Sequence, residues 1–320
     1  MDRIPFVTSD LLSYLSDGKA HSRQKLTALF ALDAGALQCE IRQFVAQGLP
    51  IIETPQEIQL QPQLPLLDQA RLQAQLAPYR LILQPVIHST NQYLLDNIAQ
   101  CQQGDLCLAE YQLAGRGRRG RQWQSPFAGQ IILSQYWTLP AQIPLHGLSL
   151  VIGITIAETL MAENILNISL KWPNDILLNG KKLAGILIEI APKRRELLEL
   201  IIGIGINVSI PSTNSIDQAW ADLSAALPQV SREAIIVRLV SNLTQNLTLF
   251  EQYGMAFFRQ RWLALDHFLG QPVNIITAPK NLCGISQGID EQGFLLIKNA
   301  QDQYLRFNAG EVSLRKGVMD

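Results

Sequence analysis

An α+β protein of three successive units is what this chain of 320 residues predicts. Residues 1–63 carry three short stretches of helical apolar spacing and then two strand-like runs. Residues 66–265 mix helical periodicity with buried strand runs in hairpin-like pairs, which favours a mixed sheet over a doubly wound parallel one. Residues 270–320 are short strands broken by turns, the pattern of a small SH3-like barrel.

In chain order, Ser9 is placed to cap a first helix through Tyr14 and Leu15, and Ser22 a second through Leu26, Leu29 and Phe30. Leu37, Ile41, Phe44 and Val45 set an apolar stripe at helical spacing on a third. Gly48-Leu49-Pro50-Ile51-Ile52 and Ile58-Gln59-Leu60 supply the strands of a wing, so this unit reads as a winged helix-turn-helix. Gln61-Pro62-Gln63-Leu64-Pro65 is the linker. Beyond it, helical spacing at 94–98, 152–160 and 235–250 alternates with strand runs at 106–110, 131–137, 186–190 and 198–206. The stretch 148–161 is interrupted by Ser149, Thr155, Glu158 and Thr159 and is too short to span a bilayer; it reads as a buried helix on the sheet. In the last unit, 288–297 is a strand, a turn and a strand.

Composition narrows the class. The chain is 48% hydrophobic with a formal net charge of −1, so a soluble globular protein is expected, with no global basic excess that advertises nucleic acid. Met1-Asp2-Arg3-Ile4-Pro5-Phe6 lacks the start of a signal peptide. Cys39, Cys101, Cys107 and Cys283 form no C-x-x-C pair and the four histidines no H-E-x-x-H, so zinc and disulfides are not expected and a cytoplasmic location is. The histidines read as surface or core residues, with His88, beside Ser89, as the exception.

Three short segments carry the chemistry: Gly115-Arg116-Gly117-Arg118-Arg119-Gly120, Lys171-Trp172-Pro173-Asn174-Asp175, and Lys181-Lys182-Leu183-Ala184-Gly185. A carboxylate and the α-phosphate of ATP repel each other, so joining them needs fixed positive charge aimed at both. Glycines let a loop bend and approach an anion closely. Alone, the arginine loop is equally a solvated basic turn or an RGG-like tract. It occurs once, however, and Trp123 follows it, offering a face for an adenine. Lys182 precedes an apolar run that reads as a buried strand, and a lysine on a rigid element suits stabilisation of a developing pentacovalent phosphorus. Lys181 reads as closing the Leu178-Asn179-Gly180 hairpin turn. Pro173-Asn174-Asp175 is a turn in its own right; its chemical reading is that Asp175 carries Mg²⁺ or orients Lys182. Gly203-Ile204-Gly205-Ile206-Asn207 places glycines in a strand, where something approaches the backbone. It is no dinucleotide fingerprint, because Asn207 replaces the third glycine.

With these motifs in this order, together with His88-Ser89-Thr90-Asn91-Gln92-Tyr93-Leu94-Leu95, Ala109-Glu110-Tyr111-Gln112, Ser125-Pro126-Phe127, Gly284-Ile285-Ser286 and Gly310-Glu311-Val312-Ser313-Leu314, the chain resembles the biotin protein ligases, of the bifunctional type that also represses biotin synthesis genes. The resemblance implies a class II synthetase-like catalytic domain. It also implies two steps: biotin and MgATP give biotinyl-5'-AMP, and a lysine of the biotin carboxyl carrier protein of acetyl-CoA carboxylase then takes the biotinyl group. It assigns Ser89, Thr90, Asn91, Gln112, Gly115, Arg116, Gly117, Arg118, Lys182, Gly185 and Gly203 to biotin, and Arg118, Arg121, Trp123, Asn174, Lys182 and Asn207 to the nucleotide. Lys182, Arg118 and Arg116 are the catalytic set and Asp175 the metal candidate. A homodimer paired through central sheets and an operator DNA are the further partners implied.

The DNA role departs from the pattern. Arg23, Gln38 and Arg42 are the candidate contacts, yet the expected recognition helix begins with Asp33 and offers only Arg42 as a cation. Residues 1–63 hold five Lys or Arg against seven Asp or Glu, whereas phosphate contacts require cations. The wing tip, Thr54-Pro55-Gln56-Glu57, lacks the expected glycines and lysine. Two other readings stand beside the ligase: a lipoate ligase, against which the polar set Ser89, Thr90, Asn91 and Gln112 speaks, and a biotin-sensing repressor with weak ligase activity.

Overall fold

The computed structural model describes residues 6–62, 64–191, 196–210, 219–224, 231–276, 281–308 and 313–316. Gln63 of the linker and Gly310, Glu311 and Val312 of the last motif lie outside them.

The N-terminal unit runs α1 (Phe6–Leu15), β1 (Ala20–Ser22), α2 (Arg23–Phe30), α3 (Ala34–Ala46), β2 (Ile51–Glu53) and β3 (Glu57–Leu60), with an antiparallel sheet in the order β1-β3-β2. Ser22 caps α2 by accepting from the Lys25 amide at 3.2 Å, and Asp33 caps α3 by accepting from Ala36 at 2.7 Å. Ser9 is not a cap: it lies inside α1, which is stabilised by burying Leu11, Leu12 and Leu15 more than by its end residues. Leu37, Ile41 and Phe44 are buried, whereas Val45 is exposed because it falls one step off the stripe. The strand β1 has no separate apolar signature in the sequence; it exists by pairing its backbone with β3.

The central unit contains α4 (Gln69–Leu76), β4 (Leu81–Ile87), α5 (Thr90–Asp96), β5 (Leu106–Gln112), β6 (Gln130–Pro140), α6 (Leu148–Met161), β7 (Ile168–Lys171), β8 (Asp175–Leu178), β9 (Lys181–Ile190), β10 (Leu197–Asn207), α7 (Arg232–Tyr253) and α8 (Arg259–Leu265). Its sheet has the order β4-β5-β6-β10-β9-β8-β7, parallel only between β4 and β5. The turn joining β8 to β9 has positive φ at Asn179 (51°) and Gly180 (74°), which a two-residue type I′ hairpin requires. The helix at 148–161 is apolar on all sides because it lies between the sheet and α7. Thr155 and Thr159 are tolerated there: each hydroxyl donates to a carbonyl one turn back and accepts from α7, through Asn246 (2.8 Å) and Asn242 (3.0 Å).

The last unit, β11 (Pro272–Ile276), β12 (Asn281–Ile289), β13 (Leu295–Lys298), β14 (Tyr304–Phe307) and β15 (Ser313–Lys316), is an antiparallel sheet ordered β14-β13-β12-β11-β15. Val273, Ile289, Leu295, Ile297 and Leu314 bury in the same core as α6 and α7. At the other end, the core of the N-terminal unit continues into Val86, Tyr111 and Phe127 of the central one. Among the described residues, no helix is long and apolar enough to cross a membrane.

A buried ion pair fixes the start of the central unit. Glu110 of β5 and Arg232, the first residue of α7, meet at 2.5 Å with side chains only 3% exposed. The remaining capacity is used: Glu110 accepts from the Leu67 amide at 2.6 Å, and Arg232 donates to the carbonyls of Pro65 and Gln130. Removing one partner strands the other charge, which costs about 3–5 kcal/mol. Arg232→Met is therefore expected to lose about that much in urea unfolding, and a loss below about 1 kcal/mol would show that the carboxylate is relieved in another way.

Candidate active site

Alternation along β10 creates two unlike faces. Leu200, Ile202, Ile204 and Ile206 pack into the core, while Gly203, Gly205 and Asn207 look the other way. Register sets Ser134, Ile132 and Gln130 of β6 opposite those three, and Leu187 and Gly185 of β9 opposite the two glycines. The glycines are there for what lies on them. A Cβ on Gly203 would sit 2.4 Å from Asn91 Oδ1, and one on Gly205 2.6 Å from the Trp123 indole; at Gly185 it would be 3.1 Å from the same ring. Trp123 therefore rests on a glycine floor. Its Nε1 donates to Gln130 Oε1 (3.1 Å), Gln130 Nε2 donates to Asn207 Oδ1 (2.8 Å), and Asn207 Nδ2 donates to the Ala221 carbonyl (3.0 Å). Asn207 thus lines the cavity while its side chain holds Trp123 in place through Gln130.

Lys182 reaches this face because of a bulge. Leu177 pairs with Lys182 and Ile176 with Ala184, so Leu183 is an extra residue in β9. Strict alternation would put Lys182 on the side of Ala184 and Ile186, in the core. The inserted residue turns it to the side of Gly185, whose Cβ would lie 3.4 Å from Lys182 Cε. Backbone bonds with Ala219 and Ala221 hold Lys182 in this position. Its Nζ is 2.7 Å from Asp175 Oδ1 and 5.7 Å from the centre of the Trp123 ring.

A polar group lines the same cavity. Gln112 Oε1 accepts from the Thr90 amide (2.9 Å) and hydroxyl (3.2 Å), and Ser134 Oγ is 2.7 Å from Thr90 Oγ1 and 2.5 Å from Asn91 Oδ1. Ser89 is the cap of α5 and is buried. The arginine loop closes over the whole. It is a narrow hairpin with a bridge between Arg116 and Gln122, and Arg119 takes the left-handed conformation at φ 58°. Arg118 donates to Asn174 Oδ1 at 2.9 Å, and Asn174 Nδ2 donates to the Ile186 carbonyl. Burial lowers the Arg118 pKa and the charges of Arg119 and Arg121 add to it, with Asp175 opposing. An anion would relieve that environment. The result is a cavity of about 890 Å³, lined by every residue the sequence proposes for biotin or nucleotide except Gly115. Gly115 lies beneath the loop, where a Cβ would be 2.4 Å from the Trp123 carbonyl.

The comparisons with known proteins agree along the chain. Residues 83–207 match the model of the Biotin/lipoate A/B protein ligase family, and residues 268–315 that of the biotin protein ligase C terminal domain. The bifunctional ligase/repressor BirA of Salmonella typhimurium is 41% identical across 95% of this chain and 96% of its own; that of Escherichia coli is 39% identical over the same shares. This chain belongs to the biotin protein ligase family. Among solved structures, a biotin protein ligase from Aquifex aeolicus in complex with biotin and ATP superposes with a TM-score of 0.66 at 28% identity, covering 74% of this chain and 99% of that one.

Within this biotin protein ligase, several cavity residues escaped the sequence reading. Ser134, Gln130, Trp220 and Leu314 line or support the site, and Glu189 accepts from both Asn91 (2.8 Å) and Arg116 (2.8 Å). Gln130 and Ser134 had a signal, since polar residues four positions apart, on one face of an apolar strand, need buried partners. The DNA candidates lie away from the cavity lining. Arg23 donates to Gln38 (2.8 Å), Glu53 (2.6 Å) and the Thr54 carbonyl (3.0 Å), and Gln38 also donates to Glu53; Arg42 is exposed on α3. Asp175 is the one carboxylate among the described lining residues, and no group of three His, Cys, Asp or Glu among the described residues is placed to hold a metal.

Proposed function

We propose that this chain activates biotin with MgATP and transfers it to a protein lysine. A biotin carboxylate oxygen attacks the α-phosphorus of ATP, the bond to the β-phosphate oxygen breaks, and biotinyl-5'-AMP and pyrophosphate form. The amine of a lysine on a biotin carboxyl carrier protein of acetyl-CoA carboxylase then attacks the acyl carbon, and AMP leaves. The observation that carries this reading is the place of Lys182, which the bulge turns onto the cavity face beside Asp175 and the Trp123 ring, in the cavity that Thr90 and Gln112 also line. In this reading Ser89, Thr90, Asn91 and Gln112 match the fixed donors and acceptors of a ureido ring. Lys182 and Arg118 face the carboxylate and α-phosphate, and Trp123, bounded by Asn174 and Asn207, carries the adenine. Magnesium arrives as part of the nucleotide. A single carboxylate suits an ion held mostly by phosphate oxygens, and Asp175 is the group that would meet it.

We divide the chain into a winged helix-turn-helix unit at 1–63, a catalytic unit at 66–265 and an SH3-like barrel at 270–320. Three helices with an antiparallel three-stranded sheet support the first name, and five antiparallel strands the last. Ile190 and Leu197, exposed on β9 and β10, are where a second copy would meet the central sheet. The relatives named ligase/repressor favour a DNA role for the first unit, but two of its three candidate side chains are tied to Glu53.

Pyrophosphate exchange into ATP tests the central reading. Biotin-dependent exchange is expected, falling by about 10²-fold or more in Lys182→Ala, as when one oxyanion donor is removed; exchange with lipoate alone would reassign the substrate. Gly205→Ala pushes a methyl against Trp123 and is expected to raise the KM for ATP by roughly tenfold while leaving that for biotin nearly unchanged. An equal rise in both would move the adenine elsewhere. In a gel shift with a biotin-synthesis promoter, weak and unselective binding with a shallow salt slope is expected. Adenylate-dependent, selective binding that Arg42→Glu abolishes would overturn this.

A further inference from the structure

We propose that Glu189 is a positioning residue that latches the arginine loop over the bound intermediate. This rests on the adenylate-forming reading above. The carboxylate lies on the cavity side of β9, in step with Gly185 and Leu187. One of its oxygens, Oε2, accepts from two sources: Asn91 Nδ2 at 2.8 Å and Arg116 Nη2 at 2.8 Å. The other side of the Arg116 guanidinium donates to Gln92 Oε1 at 2.7 Å.

The two partners differ in kind. Asn91 is fixed: it is 4% exposed, its Oδ1 lies 2.5 Å from Ser134 Oγ, and it fills the space that Gly203 leaves by lacking a Cβ. Arg116 belongs to the hairpin that covers the cavity, and its side chain is 38% exposed. Glu189 therefore joins a rigid wall to the cover. A carboxylate is otherwise out of place beside a site for two anions. Its position is explained if Arg116 serves as the pin of the cover and leaves Arg118 and Lys182 to the anions. A mixed anhydride hydrolyses in water, so a pinned cover keeps the adenylate until an acceptor lysine arrives. Asn91 gains as well, since the same oxygen fixes the orientation of its amide beside Thr90.

Residues 116–121 hold four arginines, so trypsin reports directly on how firmly the loop is held. Without any ligand, cutting within 116–121 is expected to be at least tenfold faster in Glu189→Ala than in wild type, with Glu189→Gln between them. Glutamine keeps the volume and one oxygen that can accept from both Asn91 and Arg116 but loses the charge, so its fold is preserved. With biotin and MgATP, the variants are expected to show a KM for biotin raised about five- to tenfold and a kcat for exchange within twofold of wild type. They should also lose adenylate to solution faster when no acceptor is present. The double variant Arg116→Glu with Glu189→Arg, which reverses the pair, is expected to recover slow cutting. Cleavage rates and KM within twofold of wild type in both single variants would overturn the latch. So would a fall in Tm and kcat together with KM, which marks a merely structural carboxylate. Because the trypsin arm uses no substrate, a wild type inactive with biotin would refute the ligase reading and leave the latch to be decided by cleavage.

Discussion

Because residues of β6, β10 and β9 alternate between two faces, one side of the central sheet is aliphatic and packs on α6 and α7. The other carries Gln130, Ser134, Gly203, Gly205, Gly185 and Glu189. The floor of the cavity is placed by that parity. The glycines admit Trp123 and Asn91, and the polar residues bond to what has been admitted. Parity is broken once, at Leu183, and that single inserted residue delivers a lysine to a face from which the alternation would have excluded it.

The charges of the site are only partly compensated before any anion arrives. Lys182 pairs with Asp175 and Arg116 with Glu189, while Arg118 lies against Asn174 among other cations. A cluster of uncompensated cations would destabilise the folded chain, and a fully neutralised one would have little pull on a phosphate. Pairing some cations with carboxylates and others with neutral amides lies between these limits, and it lets substrate charge replace protein charge without large reorganisation.

Much of the site was legible in the sequence because its residues come in contiguous motifs whose types are unusual for their setting: arginines among glycines, a lysine before an apolar run, glycines inside a strand. Leu148–Met161 was legible too, since a helix buried on all sides needs no periodicity to stand out. What could not be read depends on pairing between distant segments. The helix α4 and strand β4 carry weak local signals and are held by packing on α7 and pairing with β5. The roles of Ser134 and Glu189 emerge only when β6, β9 and α5 are brought together. Ser9 misled because a good capping residue is also tolerated inside a helix with a strong apolar face. Gly115, grouped with the cavity by its motif, lies beneath the loop, where a Cβ would meet the Trp123 carbonyl.

The shared core at the N-terminal end bears on how this chain can be divided. Tyr111 and Leu113 precede the arginine loop and Phe127 follows it, and these residues pack with Leu11, Leu12 and Leu15 of the first helix or against their cluster. Both ends of the cover therefore stand on apolar ground supplied in part by another unit. Truncation at the linker would leave Val86, Tyr111 and Phe127 facing water. The seam that is plain in the sequence between residues 61 and 65 is not a seam in the packing, and the segment before it is scaffolding for the catalytic unit whatever else it binds.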